Sequence, residues 1–252
     1  MKLPARGQSG FSLVELLLGI TLGTFVLAGI YRLWSNNSEQ GNRIQSKIEL
    51  RNQLALSTKR LNRSITIAGI GLDKVVGLTR IDAIGSDTLN VYTNPDEART
   101  TLVHNYTAGE TSITVTEASL FQGIGYVVLA NGGSGEVRRV SLKQGAILNL
   151  ESGFENDYAS GSAKVFPANR EQYYTDQQTQ KFVMVSKAGS AVIIAHNVQN
   201  FQVAFRNKAG EATDDLSEVR FVNYSLTGIY PAREGALNSM VYSSTSIPRN
   251  IL

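Results

Sequence analysis

The 252-residue chain contains no cysteine, which excludes disulfides, cysteine-ligated metal sites and thiol nucleophiles while leaving the compartment open. Its formal charge is +3, but Lys2 and Arg6 both precede Gly10, so a chain cut after Gly10 would keep only about +1 and the basic balance is a weak pointer to nucleic acid. The length accommodates one large or two small domains, and the roughly 180 residues left beyond an N-terminal membrane segment suffice for a self-stabilising core.

Residues 1–10 are short, polar and basic, with Gly7, Ser9 and Gly10 near their end, the composition of an accessible, non-helical cleavage segment. An ordinary secretory signal would place its small-residue site after the apolar run, and Ser35-Asn36-Asn37 offers no such pattern. From Phe11 to Trp34 the only charges are Glu15 and Arg32. As a helix this run of ~24 residues reaches ~36 Å, enough for a hydrocarbon core of ~30 Å. Lys2 and Arg6 favour a cytoplasmic N-terminus with the remainder outside, and Arg32 snorkels to the far interface.

Glu15 needs a reason, because an unpaired carboxylate at mid-bilayer costs on the order of 2.5 kcal/mol or more. Two readings are open. It is a juxtamembrane residue snorkelling to the inner interface, or it pairs with an amine exposed at Phe11 by cleavage, in the same helix or on an axially offset neighbour. Gly19 and Gly23 form a small-xxx-small pair, with Thr21, Thr24 and Gly29 nearby, that either admits a close helix neighbour or merely weakens the helix.

Gly10 followed by Phe11-Ser12-Leu13-Val14-Glu15, behind a basic leader and ahead of an unbroken apolar run, resembles the class III signal of type IV pilins and type II secretion pseudopilins. The resemblance implies cleavage after Gly10 by a prepilin peptidase, N-methylation of Phe11, and pairing of Glu15 with a neighbouring N-terminal amine during filament assembly. It also implies an inner-membrane precursor with a periplasmic head, passing through an assembly platform into a surface pilus beside minor and major pilins. Many major pilins carry a proline in this membrane segment; here none lies between Pro4 and Pro95.

Past Trp34, Ser35-Asn36-Asn37-Ser38 marks emergence into water, yet helical periodicity resumes to about Ala68. Leu50, Leu54, Leu61, Ile65 and Ala68 form the stripe, Ile44, Ile48 and Ala55 are expected to widen it, and the face should pack on a sheet. Gly69 and Gly71 supply the stop. Arg43, Lys47, Lys59, Arg60 and Arg63 read as solvated helix faces.

After residue 72 the period becomes two. Strands are expected at Thr88–Thr93, Thr111–Glu117, Gly125–Leu129, Val137–Leu142, Lys181–Ser186, Ala191–Ala195, Phe201–Arg206 and Val219–Leu226. Asn131-Gly132-Gly133-Ser134-Gly135 reads as a hairpin loop rather than a phosphate cradle, since no helix pattern follows it.

The fold class that results is α+β: a long N-terminal helix, transmembrane in its first half and amphipathic in its second, packed on an antiparallel β-sheet head. The boundaries are a leader at 1–10, a membrane and filament-core helix at 11–34, an amphipathic spine at 35–71 and a head at 72–252, in which 99–166 is an inserted β-rich subdomain. Gly85 to Tyr92, Arg170 to Tyr174, Asn197 to Phe205 and Arg249-Asn250 resemble the order of segments in large minor pilins of the PilW type and, more distantly, J-type pseudopilins. That resemblance implies a low-abundance subunit that initiates or caps a pilus, placed just below the tip because it keeps Glu15. The alternatives are a type II secretion pseudopilin, and a tip adhesin or DNA-uptake module, for which no aromatic-basic interleaving speaks.

His104 and His196 lie in or beside apolar strand patterns without motif partners. Glu211, Asp214, Asp215 and Glu218 crowd one loop after Gly210; they are a candidate Ca²⁺ site or a solvated loop, and their spacing is no EF-hand. No nucleophile, acid–base pair or cofactor fingerprint stands out, so neither an enzyme nor a cofactor is expected.

Overall fold

A computed structural model describes residues 12–72, 80–121, 125–132, 135–186, 189–216, 218–232 and 235–248. The chain divides into two compact units, residues 1–48 and 49–252. One helix, α1 (Leu13–Thr66, 54 residues), contributes to both, and it packs through its later turns on antiparallel sheets in an α+β, pilin-like architecture.

In the first unit α1 is apolar to Trp34 and then crosses the poor helix formers Ser35, Asn36, Asn37, Ser38 and Gly41. A Glu39–Arg43 ion pair spans that stretch in the favourable acid-first i,i+4 order. In the second unit α1 buries Leu50, Leu54, Ser57, Leu61, Ser64 and Ile65, and Ala68 beyond its end is buried as well. The expected stripe is therefore correct in its five named positions, but its widening is not. Ile44, Ile48 and Ala55 are exposed. At ~100° per residue all three lie on another face of α1, well round from Leu50, Leu54 and Leu61, and Ser57 fills the gap in the stripe before Leu61. Ser57 satisfies its buried hydroxyl by donating to the Gln53 carbonyl at 2.8 Å.

The stop falls where Gly69 and Gly71 adopt φ of +76° and +68°. A Cβ on Gly71 would lie 1.8 Å from the Asn94 carbonyl oxygen, so the close approach admits glycine alone. The exit is tied down by Gly69 N–H donating to Tyr92 O and Asn94 N–H donating to Ile70 O, both at 2.8 Å.

Thirteen strands follow among the described residues: β1 (Ile81–Ile84), β2 (Thr88–Thr93), β3 (Thr100–Thr101), β4 (Ser112–Thr114), β5 (Tyr126–Ala130), β6 (Gly135–Gln144), β7 (Ile147–Leu150), β8 (Lys164–Asp176), β9 (Lys181–Val185), β10 (Ala191–His196), β11 (Val198–Arg206), β12 (Phe221–Pro231) and β13 (Leu237–Ser246). All eight expected strands exist, β4 shorter than foreseen and β12 displaced toward its C-terminal end. Five others were not foreseen. β1, β3 and β7 are too short to show a period, and β13 is diluted by serine and asparagine. β8, the longest, carries Pro167 and the polar run Asn169 to Gln172, weak strand formers whose conformation is imposed by neighbours.

A ten-stranded sheet has the order β1-β2-β8-β5-β6-β7-β4, with β3 and β9 also pairing with β8 and β10 pairing with β9. Along β8, Lys164 to Ala168 pair with β5 and Gln172 to Asp176 with β9, so one strand links two regions of the sheet. A second sheet has the order β11-β12-β13. The principal core gathers Leu54, Leu61 and Ile65 of α1 with Leu89, Tyr173, Phe182, Phe201 and Leu226, from both sheets. Polar contacts also fix the helix on it. Ser64 Oγ lies 2.6 Å from Glu171 Oε2 and 2.8 Å from Tyr173 Oη, and Tyr224 Oη, whose pKa burial pushes up to about 12, donates to Thr58 O and Asn62 Oδ1.

A separate core has every buried member between Leu102 and Val165. Its edge is closed by Glu136, whose carboxylate accepts from the Glu155 and Asn156 backbones, Asn156 Nδ2, Tyr158 Oη and Arg138 Nη2 at 2.8–3.1 Å. Burial pushes this carboxyl up, but the converging donors outweigh it and hold the pKa below its ordinary value.

Candidate functional site

The N-terminal turn of α1 is built by a reciprocal cap. Ser12 precedes the helix; its Oγ accepts from Val14 N–H at 3.3 Å, and Glu15 Oε2 accepts from Ser12 N–H at 3.2 Å. The spacing S-x-x-E is the capping-box pattern, and it satisfies otherwise orphaned donors while setting a carboxylate against the positive end of the helix. Sequence reading missed this role of Ser12 and Glu15, although the spacing is a recognised signal for it.

From Leu13 to Trp34 every residue is exposed. Phe25, Tyr31, Leu33 and Trp34 lie between 66 and 78 % accessible, part of an apolar surface of a size that marks a membrane or protein contact. α1 is long and apolar enough to cross a membrane by length and composition. A side chain added at Gly19 or Gly23 would meet nothing within 4 Å, so neither glycine is required by packing within the described chain. Thr21 Oγ1 and Thr24 Oγ1 donate back to Leu17 O and Thr21 O, spending their polarity inside the helix. Gly10 and Phe11 lie outside the described residues.

The other candidates do not gather around a reaction centre. His104 is exposed in a bend; His196 is exposed at the end of β10, its backbone N–H donating to Gln53 Oε1 at 2.8 Å. Among the described residues no three His, Asp or Glu side chains lie close enough to hold a metal. In the acidic loop, Glu211 Oε2 accepts from Asn207 Nδ2 at 3.3 Å and the Asp215 backbone N–H donates to Thr213 Oγ1 at 3.1 Å. The glycine-rich segment joins β5 to β6 as an antiparallel hairpin, with residues 133 and 134 outside the described set. An open groove beside β11 is lined by Ser86, Gln202, Asn223, Ser225, Ser243 and Thr245, without an Asp, Glu, His, Lys or Arg to do acid–base work.

Residues 5–31 match the family model for the prokaryotic N-terminal methylation motif. No curated protein and no solved structure matches the chain. The motif supports a type IV pilin or pseudopilin-type precursor, a class of structural subunits, and implies processing by a prepilin peptidase and pilin-type assembly. Together with the apolar helix it fits a single-pass membrane anchor.

Proposed function

We propose that this chain is a minor pilin, cleaved after Gly10 and N-methylated at Phe11, that joins other pilins through α1 to initiate or cap a type IV pilus near its tip. One observation carries the reading: the turn-by-turn exposed apolar surface of α1 from Leu13 to Trp34, interrupted near its start by Glu15 alone. A bilayer covers that surface before assembly and neighbouring helices cover it afterwards, with close approach at Gly19 and Gly23. Cleavage changes the task of Glu15. In the precursor its carboxylate caps Ser12 N–H; in the mature subunit it answers the Phe11 amine of a neighbour, and their mutual attraction offsets part of the penalty that either charge would carry if buried alone.

The organisation that follows is a leader at 1–10, a membrane and filament-core segment at 11–34, a spine at 35–71 and a head at 72–252. The self-contained core between Leu102 and Val165 supports treating 99–166 as an inserted subdomain. Mass spectrometry of the mature N-terminus tests the class, with methylated Phe11 expected; an intact leader in peptidase-competent cells refutes it. Deleting the gene tests the assignment within the class: loss of surface pili and twitching is expected, whereas loss of secreted enzymes with normal piliation points to a secretion pseudopilin.

A further inference from the structure

Sheet edges expose unpaired backbone donors and acceptors, and proteins guard them with short strands, charges, prolines, bulges or covering segments. The described edges here are guarded in such ways except one. β1 has four residues and carries Asp82, β3 has two residues and β4 three, and β10 has six with a register shift between Ile193 and Ala195. The free side of β11 meets the β1–β2 turn, Val203 N–H donating to Ser86 O at 2.8 Å.

Among the described residues β13 has none of these. It runs ten residues, Leu-Asn-Ser-Met-Val-Tyr-Ser-Ser-Thr-Ser, without a charge or a proline, and stays in unbroken register with β12 from Leu237 opposite Pro231 to Ser246 opposite Val222. Among the described residues its backbone makes no bond outside that ladder. Alternate N–H and C=O groups over ~33 Å therefore point away from the sheet. Both faces beside this edge are incompletely covered. Met240 and Tyr242 sit half-buried against the principal core, and on the other face Val241 is 60 % and Leu237 64 % exposed.

We infer that the free edge of β13 receives an extended, uncharged strand from a different pilin-like subunit, which adds to the β11-β12-β13 sheet as its fourth strand; the class of partner rests on the assembly reading above. A row of alternating backbone donors and acceptors is matched over ten residues only by another strand, and its side chains would cover Met240 and Tyr242 on one face and Val241 and Leu237 on the other. Antiparallel self-pairing of two β13 edges would be twofold and would close as a dimer, consuming the edge instead of joining a set of unlike subunits.

The test places p-benzoylphenylalanine, one position at a time, at Ser239, Val241 and Ser243 of the full chain in piliated cells, and maps each photo-adduct by mass spectrometry. Strand addition gives adducts on one segment of one other leader-bearing subunit, stepping by about two residues along it as the probe moves by two. Val241→Lys should lower adduct yield from Ser239 and Ser243 by about tenfold or more without shifting the thermal midpoint, because Val241 is largely exposed, whereas Ser225→Lys on the face of central β12, opposite Ser243, should leave the yield from Ser239 within about twofold. Adducts to a second copy of this chain, or adducts that scatter without the two-residue step, overturn the inference. No adduct from a chain that carries methylated Phe11 and enters pili overturns it while leaving the minor-pilin reading standing. A chain that keeps its leader overturns both.

Discussion

At Gly228 in β12 the Leu50 side chain of α1 packs directly against the backbone of the three-stranded sheet. A Cβ built there lies 2.7 Å from Leu50 Cδ1, 3.0 Å from Cδ2 and 3.1 Å from Cγ, distances at which the leucine must move. Leu50 is 3 % exposed, so it has little room to turn away. Gly228→Ala should therefore destabilise the head by about 1–3 kcal/mol, the usual cost of one surplus methyl in a packed core. Leu50→Ala alone should cost about 2–5 kcal/mol through lost burial and a cavity. The two changes share one volume, so the added methyl occupies part of the void and the double variant should be more stable than the sum of the singles by about 1 kcal/mol or more. The measurement is urea unfolding of the full chain in detergent, followed by far-UV circular dichroism, for the parent, both singles and the double. Additive costs, or a neutral Gly228→Ala, would refute the contact between helix and sheet at this position.

Glu136→Gln should cost about 1–3 kcal/mol at neutral pH by weakening acceptance from five donors. Because the folded pKa of Glu136 is depressed, its stabilisation is present above the unfolded carboxyl pKa and disappears as pH falls through the folded value; unfolding curves between about pH 7 and 2 should converge for parent and variant at the acid end. Asp82 has the opposite sign, since burial raises its pKa against the hydrogen bonds from Asn90 and Tyr92. Ionisation there opposes folding as pH rises above the unfolded value, so Asp82→Asn should gain relative stability from acid to neutral pH, and a flat difference across that range would contradict it. Gly71→Ala should cost on the order of 3 kcal/mol or more, read as loss of soluble or detergent-extractable chain, since it combines positive φ with a clash against the Asn94 backbone. Glu15→Ala should leave cleavage nearly intact and sharply reduce incorporation into pili, scored by immunoblot of sheared filaments; the lost cap alone costs the helix only about 1 kcal/mol. Normal incorporation would remove the pairing role.

What could be read from residues alone was local or sharply patterned. The apolar run to Trp34, the lone Glu15 and the preceding Gly10-Phe11 need no partner to be recognised, because a membrane-length segment and a processing signal are properties of consecutive residues. The stripe Leu50, Leu54, Leu61, Ile65, Ala68 and the stop at Gly69 and Gly71 follow from helical period and from glycine's tolerance of positive φ. The same period sets Ile44 and Ile48 on another face of α1 at ~100° per residue, where they stay exposed; tertiary structure decided that a serine, Ser57, is buried between Leu54 and Leu61. It also decided β8, whose Pro167 and polar centre argue against a strand until β2, β5 and β9 pair with it. Whether an edge is guarded is likewise invisible locally, for Leu237 to Ser246 becomes an open edge only because β12 covers one side of it and no described residue bonds to the other. Periodicity records what a segment offers to a partner; which partner arrives, and on which side, is set by contacts far apart in the chain.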